Sequence, residues 1–209
     1  MRKSTRKIRK FLGIPTLYQT KRTTGTDERW DLIRANLGPS DKSLLDVGCN
    51  LGVLSRKAAD AGLAVIGVDT MPNAVLSARR AHRDVPGLAF MQLDINPDTV
   101  GRLPRCDVVF CLSVHHYWIA NYGQEKAWSM IQQLIAGSQN KLFFEPASRR
   151  KKYGANAPDF IDLDQDSLRS HHLERLRDVA GPQRSVECLG ATDCIGPEPF
   201  RLMFVVSAK

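Results

Sequence analysis

Long apolar runs are missing from this 209-residue sequence. None approaches the roughly 18–20 residues that span a bilayer, so no transmembrane segment is expected. The basic N-terminus is followed by no long apolar segment and no small-residue cleavage site, which argues against a secretory leader. Paired cysteine spacing is missing as well. Cys49, Cys106, Cys111, Cys188 and Cys194 are an odd five with no C-x-x-C among them. They read as reduced thiols rather than a disulfide frame or a zinc site. These absences predict a cytoplasmic protein, peripheral at most to the inner membrane face. Aromatic residues are only 7% of the chain, and no stacking array for nucleic-acid bases stands out.

Net positive charge is scarce outside one segment. The formal net charge is +8, but Arg2, Lys3, Arg6, Lys7, Arg9 and Lys10 stand within ten residues that hold no acid. They leave about +2 for the rest, so the basicity belongs to a tail and not to a domain surface. Such a tail suits a polyanion or an anionic membrane face, with Ile8, Phe11, Leu12 and Ile14 as an apolar side. A solvated, frayed terminus is the alternative. With 43% hydrophobic and 25% charged residues the remainder is of ordinary globular composition. The expected organisation is a basic flexible tail over 1–15 and one domain over 16–209.

What is present is a phased α/β pattern. Leu44-Leu45-Asp46-Val47-Gly48-Cys49-Asn50-Leu51-Gly52 reads as a buried strand, a glycine-bearing turn and a helix start. A second strand, Ala64 to Val68, ends in Asp69. The turn lets a ligand approach the backbone, and the acid can accept hydrogen bonds from a ribose diol. An αβ turn with no ligand is the plain alternative. The dinucleotide pattern G-x-G-x-x-G is absent, because Gly48, Asn50 and Val53 occupy its places, and this argues against NAD.

Further strands are expected near 88–93, 107–112, 141–145, 185–190 and 200–206. Helices are expected near 27–37, 52–61, 72–83, 123–137 and 165–180, with Leu54, Ala58 and Ala61 inward on the second. Alternation of this kind predicts a mostly parallel sheet with helices on both faces and an antiparallel C-terminal strand at or near its edge. Ligands of such sheets bind beyond the carboxyl ends of the strands. The polar groups there are Asp46 to Asn50, Asp69-Thr70, Asp94-Ile95, Ser113 to His116, and Glu145.

The D-x-G-x-x-x-G form with Asp69 resembles the cofactor site of class I S-adenosylmethionine-dependent methyltransferases over about residues 40–146. That resemblance implies a Rossmann-like seven-stranded sheet and S-adenosylmethionine as cofactor. Its binding residues would be Tyr18, Asp46, Gly48, Cys49, Asn50, Gly52, Asp69, Thr70, Asp94, Ile95 and Leu112. The run from Leu112 to Gly123 resembles bacterial O-antigen chain-terminating methyltransferases, which methylate a terminal phosphate on a polysaccharide. Tyr18-Gln19 and the Gly196 to Arg201 turn resemble the same family. Tyr117 departs from its pattern, standing where that family has a second histidine. Leu45 to Gly52, Cys111 to Val114, Asn121, Gly123 and Glu145-Pro146 are similar to the bicoid-interacting type of RNA methylphosphate capping enzyme, with a departure at His115-His116.

These resemblances imply a methyltransferase acting on an oxygen of a saccharide or terminal phosphate acceptor. The candidate catalytic residues are His116, His115 and Glu145, and the candidate acceptor contacts are Arg149, Arg150 and Tyr117. A phosphate oxygen is already anionic and needs positioning more than deprotonation. A sugar hydroxyl needs a base, for which His116 is the first candidate. The histidine pair could also be a plain core or surface pair, and no third metal ligand stands at a recognisable spacing. Arg149 to Lys152 could hold a phosphate dianion or form a solvated loop. The expected partner is a small-molecule or glycan acceptor. RNA is the alternative, favoured by the tail, and a non-catalytic cofactor-binding partner of a larger enzyme is the third reading.

Overall fold

The computed structural model describes residues 25–146, 156, 160, 163–193 and 200–209. The basic tail, Tyr18-Gln19, the Ser148 to Tyr153 segment, Cys194 and the first four residues of the Gly196 to Arg201 turn lie outside them. The strands are β1 Ser43–Val47, β2 Ala64–Asp69, β3 Leu88–Gln92, β4 Cys106–Leu112, β5 Ser138–Glu145, β6 Arg184–Asp193 and β7 Phe200–Ala208. The helices are α1 Thr26–Ala35, α2 Val53–Asp60, α3 Pro72–Ala81, α4 His115–Tyr122, α5 Gln124–Gly137 and α6 Gln165–Ala180.

Seven strands form one sheet in the order β3-β2-β1-β4-β5-β7-β6. The first five are mutually parallel. β7 is antiparallel to both β5 and β6, and it inserts between them. β6 therefore takes the edge. The strand order reverses at β1 and β4, whose ends meet at Val47 opposite Cys111. At such a reversal successive connections leave on opposite faces, which opens a crevice at the strand ends.

The central strands are apolar throughout because both faces are covered. Successive residues divide between the two layers. Leu45, Val109, Leu142, Phe144 and Phe204 face α5 and α6, where Trp128, Met130, Ile131, Leu134, Leu168 and Leu176 meet them. Leu44, Val108, Phe110, Phe143, Met203 and Val205 face the other way, toward Trp30 and Ile33 of α1 and Ala58 of α2. On α2 the inward side differs from the periodicity reading. Ser55 is fully buried, whereas Ala61 lies just past the helix and is exposed. Ser55 tolerates burial because its hydroxyl is bonded to Asp46.

The eight-residue α4 has no counterpart in the sequence reading, which treats 113–122 as the exit of a strand. Only Gly123, at φ 84°, separates it from α5. Among the described residues no helix is long and apolar enough to cross a membrane.

Candidate functional site

The glycine turn after β1 is built by backbone contacts that leave little room for side chains. The amides of Gly48 and Cys49 both donate to the Val68 carbonyl, at 2.8 and 3.0 Å. Gly48 has φ 74° and its Cα faces the Val114 side chain, which a Cβ would strike. Gly52, at φ 72°, likewise abuts the Phe90 ring. His82 presses on the turn from outside, with Nε2 3.0 Å from the Leu51 carbonyl.

Asp69 fastens this turn to the end of β2. Its Oδ2 accepts the Asn50 amide and its Oδ1 the Met71 amide, both at 2.8 Å. A carboxylate offers about four acceptor positions, so two remain for a ribose diol after the amides are satisfied. Asp69 thus shapes the turn as well as offering a ligand contact. Thr70 beside it is exposed.

The cavity at the carboxyl ends of β1 and β4 is lined by Asp46, Gly48, Cys49, Asn50, Leu112 and Ser113, and by Thr26 and Arg29 of α1. Asp46 is buried and accepts the Ser55 hydroxyl at 2.5 Å. Burial pushes its carboxyl up to about 6, with Asp69 adding to the shift while Ser55 and Arg29 oppose it. The Asp46 carboxyl and the Arg29 guanidinium set opposite charges on one cavity wall, as the ammonium and carboxylate of a zwitterion require. This opposite-charge pair makes the cavity a fit for the amino-acid end of S-adenosylmethionine. Burial raises the Cys49 and Cys111 thiols far above their usual range, so neither is a nucleophile here.

The loop after β3 completes the rim. Asp94 is exposed and accepts the Asn96 side-chain amide at 2.9 Å, while Ile95 is buried. Burial raises the Tyr122 hydroxyl, and the negative charge of Asp94 adds to the shift, so the end of α4 faces this loop. Among the described residues no cluster of three or more His, Cys, Asp or Glu side chains is placed to hold a metal.

Two of the three expected catalytic residues, His115 and Glu145, are buried. His115 is 1% exposed and packs on Trp128 and Phe144, with ring centroids 4.4 and 5.4 Å away. Burial chiefly, then His116, Arg175 and His171, lower it to about 3. It is a neutral core histidine, because the first turn of α4 turns it away from the crevice. Glu145 is fully buried and ion-paired to Arg29 at 2.9 Å and Arg201 at 3.0 Å. Burial raises its carboxyl, but the two arginines and the Ser113 hydroxyl outweigh that and hold it below the usual range. Such a carboxylate is a poor proton acceptor. His116 is half-buried, and its ring lies 4.0 Å from that of Tyr117, which is 48% exposed. Tyr18, Arg149 and Arg150 lie outside the described residues.

Arg29 and Ser55 are site residues that the sequence reading does not reach, while Ser113 entered it only as a polar group at a strand end and Arg201 only as the end of the 196–201 turn. Arg29 stands next to Trp30 on a helix read only for its apolar stripe. Arg201 is the second residue of β7, 88 residues from Ser113, to which its guanidinium donates. The one local signal is a polar residue in an otherwise apolar run, Arg201 before Leu202 to Val206.

Comparison with known proteins follows from this geometry. Residues 45–136 match the methyltransferase domain family. Over 88 residues the chain is 35% identical to a ubiquinone biosynthesis O-methyltransferase of Pseudomonas paraeruginosa, a match covering 41% of this chain and 38% of that protein. The chain thus spans about two fifths of that relative's length. The fold is similar to that of WbdD, a bifunctional kinase-methyltransferase, with a TM-score of 0.65 at 21% identity, covering 89% of this chain and 39% of that one. It is also similar to magnesium protoporphyrin IX methyltransferase of Synechocystis PCC 6803 with S-adenosylmethionine bound. There the TM-score is 0.64 at 20% identity, covering 100% of this chain and 92% of the other. These likenesses establish the fold.

Proposed function

The chain carries a class I, S-adenosylmethionine-dependent methyltransferase domain, and from that premise we propose that it transfers a methyl group to an oxygen of a saccharide or terminal phosphate acceptor by in-line displacement. The cofactor supplies an electrophilic methyl on a sulfonium: the acceptor oxygen forms the C–O bond as the C–S bond breaks, leaving a neutral thioether. The chain's own residues bind and orient. Arg29 and Asp46 take the charged amino-acid end, the 48–52 turn gives close backbone approach, and Asp69 receives the ribose. Asp94 and Ile95 flank the adenine, a carboxylate toward its amine and an aliphatic chain against its ring.

The observation that carries the reading is the place of His116. It lies in the first turn of the helix that leaves the same β4 end as the cofactor cavity. From there an imidazole can take the proton of an attacking hydroxyl. A phosphate acceptor needs no base, and the Arg149 to Lys152 run following β5 suits its charge. The sequence match to an O-methyltransferase supports an oxygen acceptor.

Transfer of labelled methyl from S-adenosylmethionine into a host-cell extract tests this, with portions untreated, phosphatase-treated and ribonuclease-treated. Label lost only after phosphatase supports a phosphorylated saccharide or small molecule, and label surviving both treatments but lost on glycan removal supports a hydroxyl. Label lost after ribonuclease refutes the proposal in favour of RNA. His116→Ala should leave cofactor binding intact and lower turnover on a hydroxyl acceptor.

A further inference from the structure

Glu145 closes β5 at the ligand-binding end of the sheet, where its carboxylate is excluded from solvent. A buried carboxylate persists as an anion only when cations and hydrogen bonds replace its water. The compensation comes from three distant stretches. Arg29 of α1 approaches Oε2 through its Nε at 2.9 Å, and Arg201 of β7 approaches Oε1 at 3.0 Å. The Ser113 hydroxyl donates to Oε1 and accepts from Arg201. Ser113 itself has φ 59°, a left-handed conformation that a serine adopts only when its surroundings hold it.

Two of these partners border the cofactor cavity, namely Arg29 and Ser113. Arg29 has side-chain exposure of only 15%, so its guanidinium is held in place and not sampled from solvent. The contact is an ion pair rather than an aligned hydrogen bond, since neither Arg29 Nε nor Glu145 Oε2 has a hydrogen-bond partner among the described residues, and charge attraction holds the guanidinium at the cavity wall. The negative charge that aims Arg29 is therefore Glu145, which does not itself line the cavity.

Resting on the cofactor assignment above, we propose that Glu145 is a positioning residue: acting through Arg29, it orients the donor that receives the carboxylate of the cofactor's amino-acid end. It makes binding depend on that end being present. The same carboxylate also pins Ser113, so the turn into α4 and the cofactor clamp share one buried charge.

Calorimetric binding of two probes to the full chain tests the proposal. S-adenosylhomocysteine retains the amino-acid end and 5′-methylthioadenosine lacks it. Glu145→Gln should weaken the first by about tenfold or more, the scale of a misaligned charged hydrogen bond, and change the second by less than about twofold. Arg29→Gln should show the same split, and the double variant should bind no more weakly than Arg29→Gln alone. Equal weakening of both probes, unchanged S-adenosylhomocysteine binding, or additive losses would each overturn it. Should Glu145→Gln fail to fold, Ser113→Ala removes only the hydroxyl and should weaken S-adenosylhomocysteine alone, by roughly threefold. Loss of both probes, or of neither, in that variant overturns the proposal as well. A wild-type chain that binds neither probe refutes the cofactor assignment and the proposal together, whereas wild-type binding without the split refutes the proposal only.

Discussion

Replacing Asp46 by asparagine should make the ligand-free protein more stable at neutral pH while making it a poorer binder of its cofactor. The reason is the environment of this one carboxyl. It is buried, accepts the Ser55 hydroxyl at 2.5 Å, and is pushed up from 3.8 to about 6, mainly by loss of hydration. A group whose folded value exceeds its unfolded value binds more protons when folded. Its ionisation therefore works against folding as pH rises from about 4 to about 6, and the full penalty is present above that. The shift of about two units corresponds to about 3 kcal/mol at most, or roughly 6–12 °C in Tm for a chain of this length. Asparagine is nearly isosteric, still accepts from Ser55, and carries no charge to desolvate. Its advantage should be largest at pH 7 and vanish near pH 4, where the aspartic acid is neutral in both states. Scanning calorimetry of both proteins from pH 4 to pH 8 reads this directly. In parallel, wild-type affinity for S-adenosylhomocysteine should rise between pH 5 and pH 7 as Asp46 ionises against the ligand's ammonium. The variant's should stay flat over the same range. A Tm gain that is absent, or that does not depend on pH, would refute the reasoning.

Acid should act on the opposite side of the sheet through His115. Held at about 3 against about 6.5 when unfolded, it withdraws about 2 kcal/mol of stability between pH 7 and pH 5. Because the folded value is depressed, stability is complete above pH 6.5 and lost below it, and His172 adds in the same direction. His115→Phe should flatten that slope in urea titrations. Gly67→Ala should cost about 1–3 kcal/mol by overpacking, since its Cβ would lie 2.6 Å from the Phe90 ring. Adding Phe90→Leu should recover part of that loss in thermal melts. Asp69→Ala removes the acceptor of two backbone amides and should weaken cofactor binding by roughly 1–3 kcal/mol, while unchanged affinity by calorimetry would remove Asp69 from the site.

The α/β alternation, the glycine turn and Asp69 were legible because each is written in a contiguous stretch. Period-two and period-3.6 patterns report burial of neighbouring residues, and positive φ demands glycine locally at 48 and 52. Helix α6 over 165–180 was legible by its Gly181-Pro182 stop, while its Asp164 cap emerged only in the structure. Helix α4 was not, because eight residues with three aromatics show no apolar stripe and its only boundary mark is Gly123.

Roles that depend on which sides of distant segments meet could not be read locally. His115 and His116 are adjacent and chemically identical, yet one packs on Trp128 in the core and the other is half-buried against Tyr117. Glu145 stood as a candidate catalytic residue, and only the packing brought Arg29 and Arg201, over 50 residues away on either side, against it. Sequence alone determined the layers and the turn, since these follow from backbone sterics and local periodicity, and the class of cofactor through the resemblance of the 46–52 motif and Asp69 to a known family. Which carboxylate is free, which is paired and which histidine is dry was decided only by tertiary packing, because desolvation and ion pairing act through space and carry no trace along the chain.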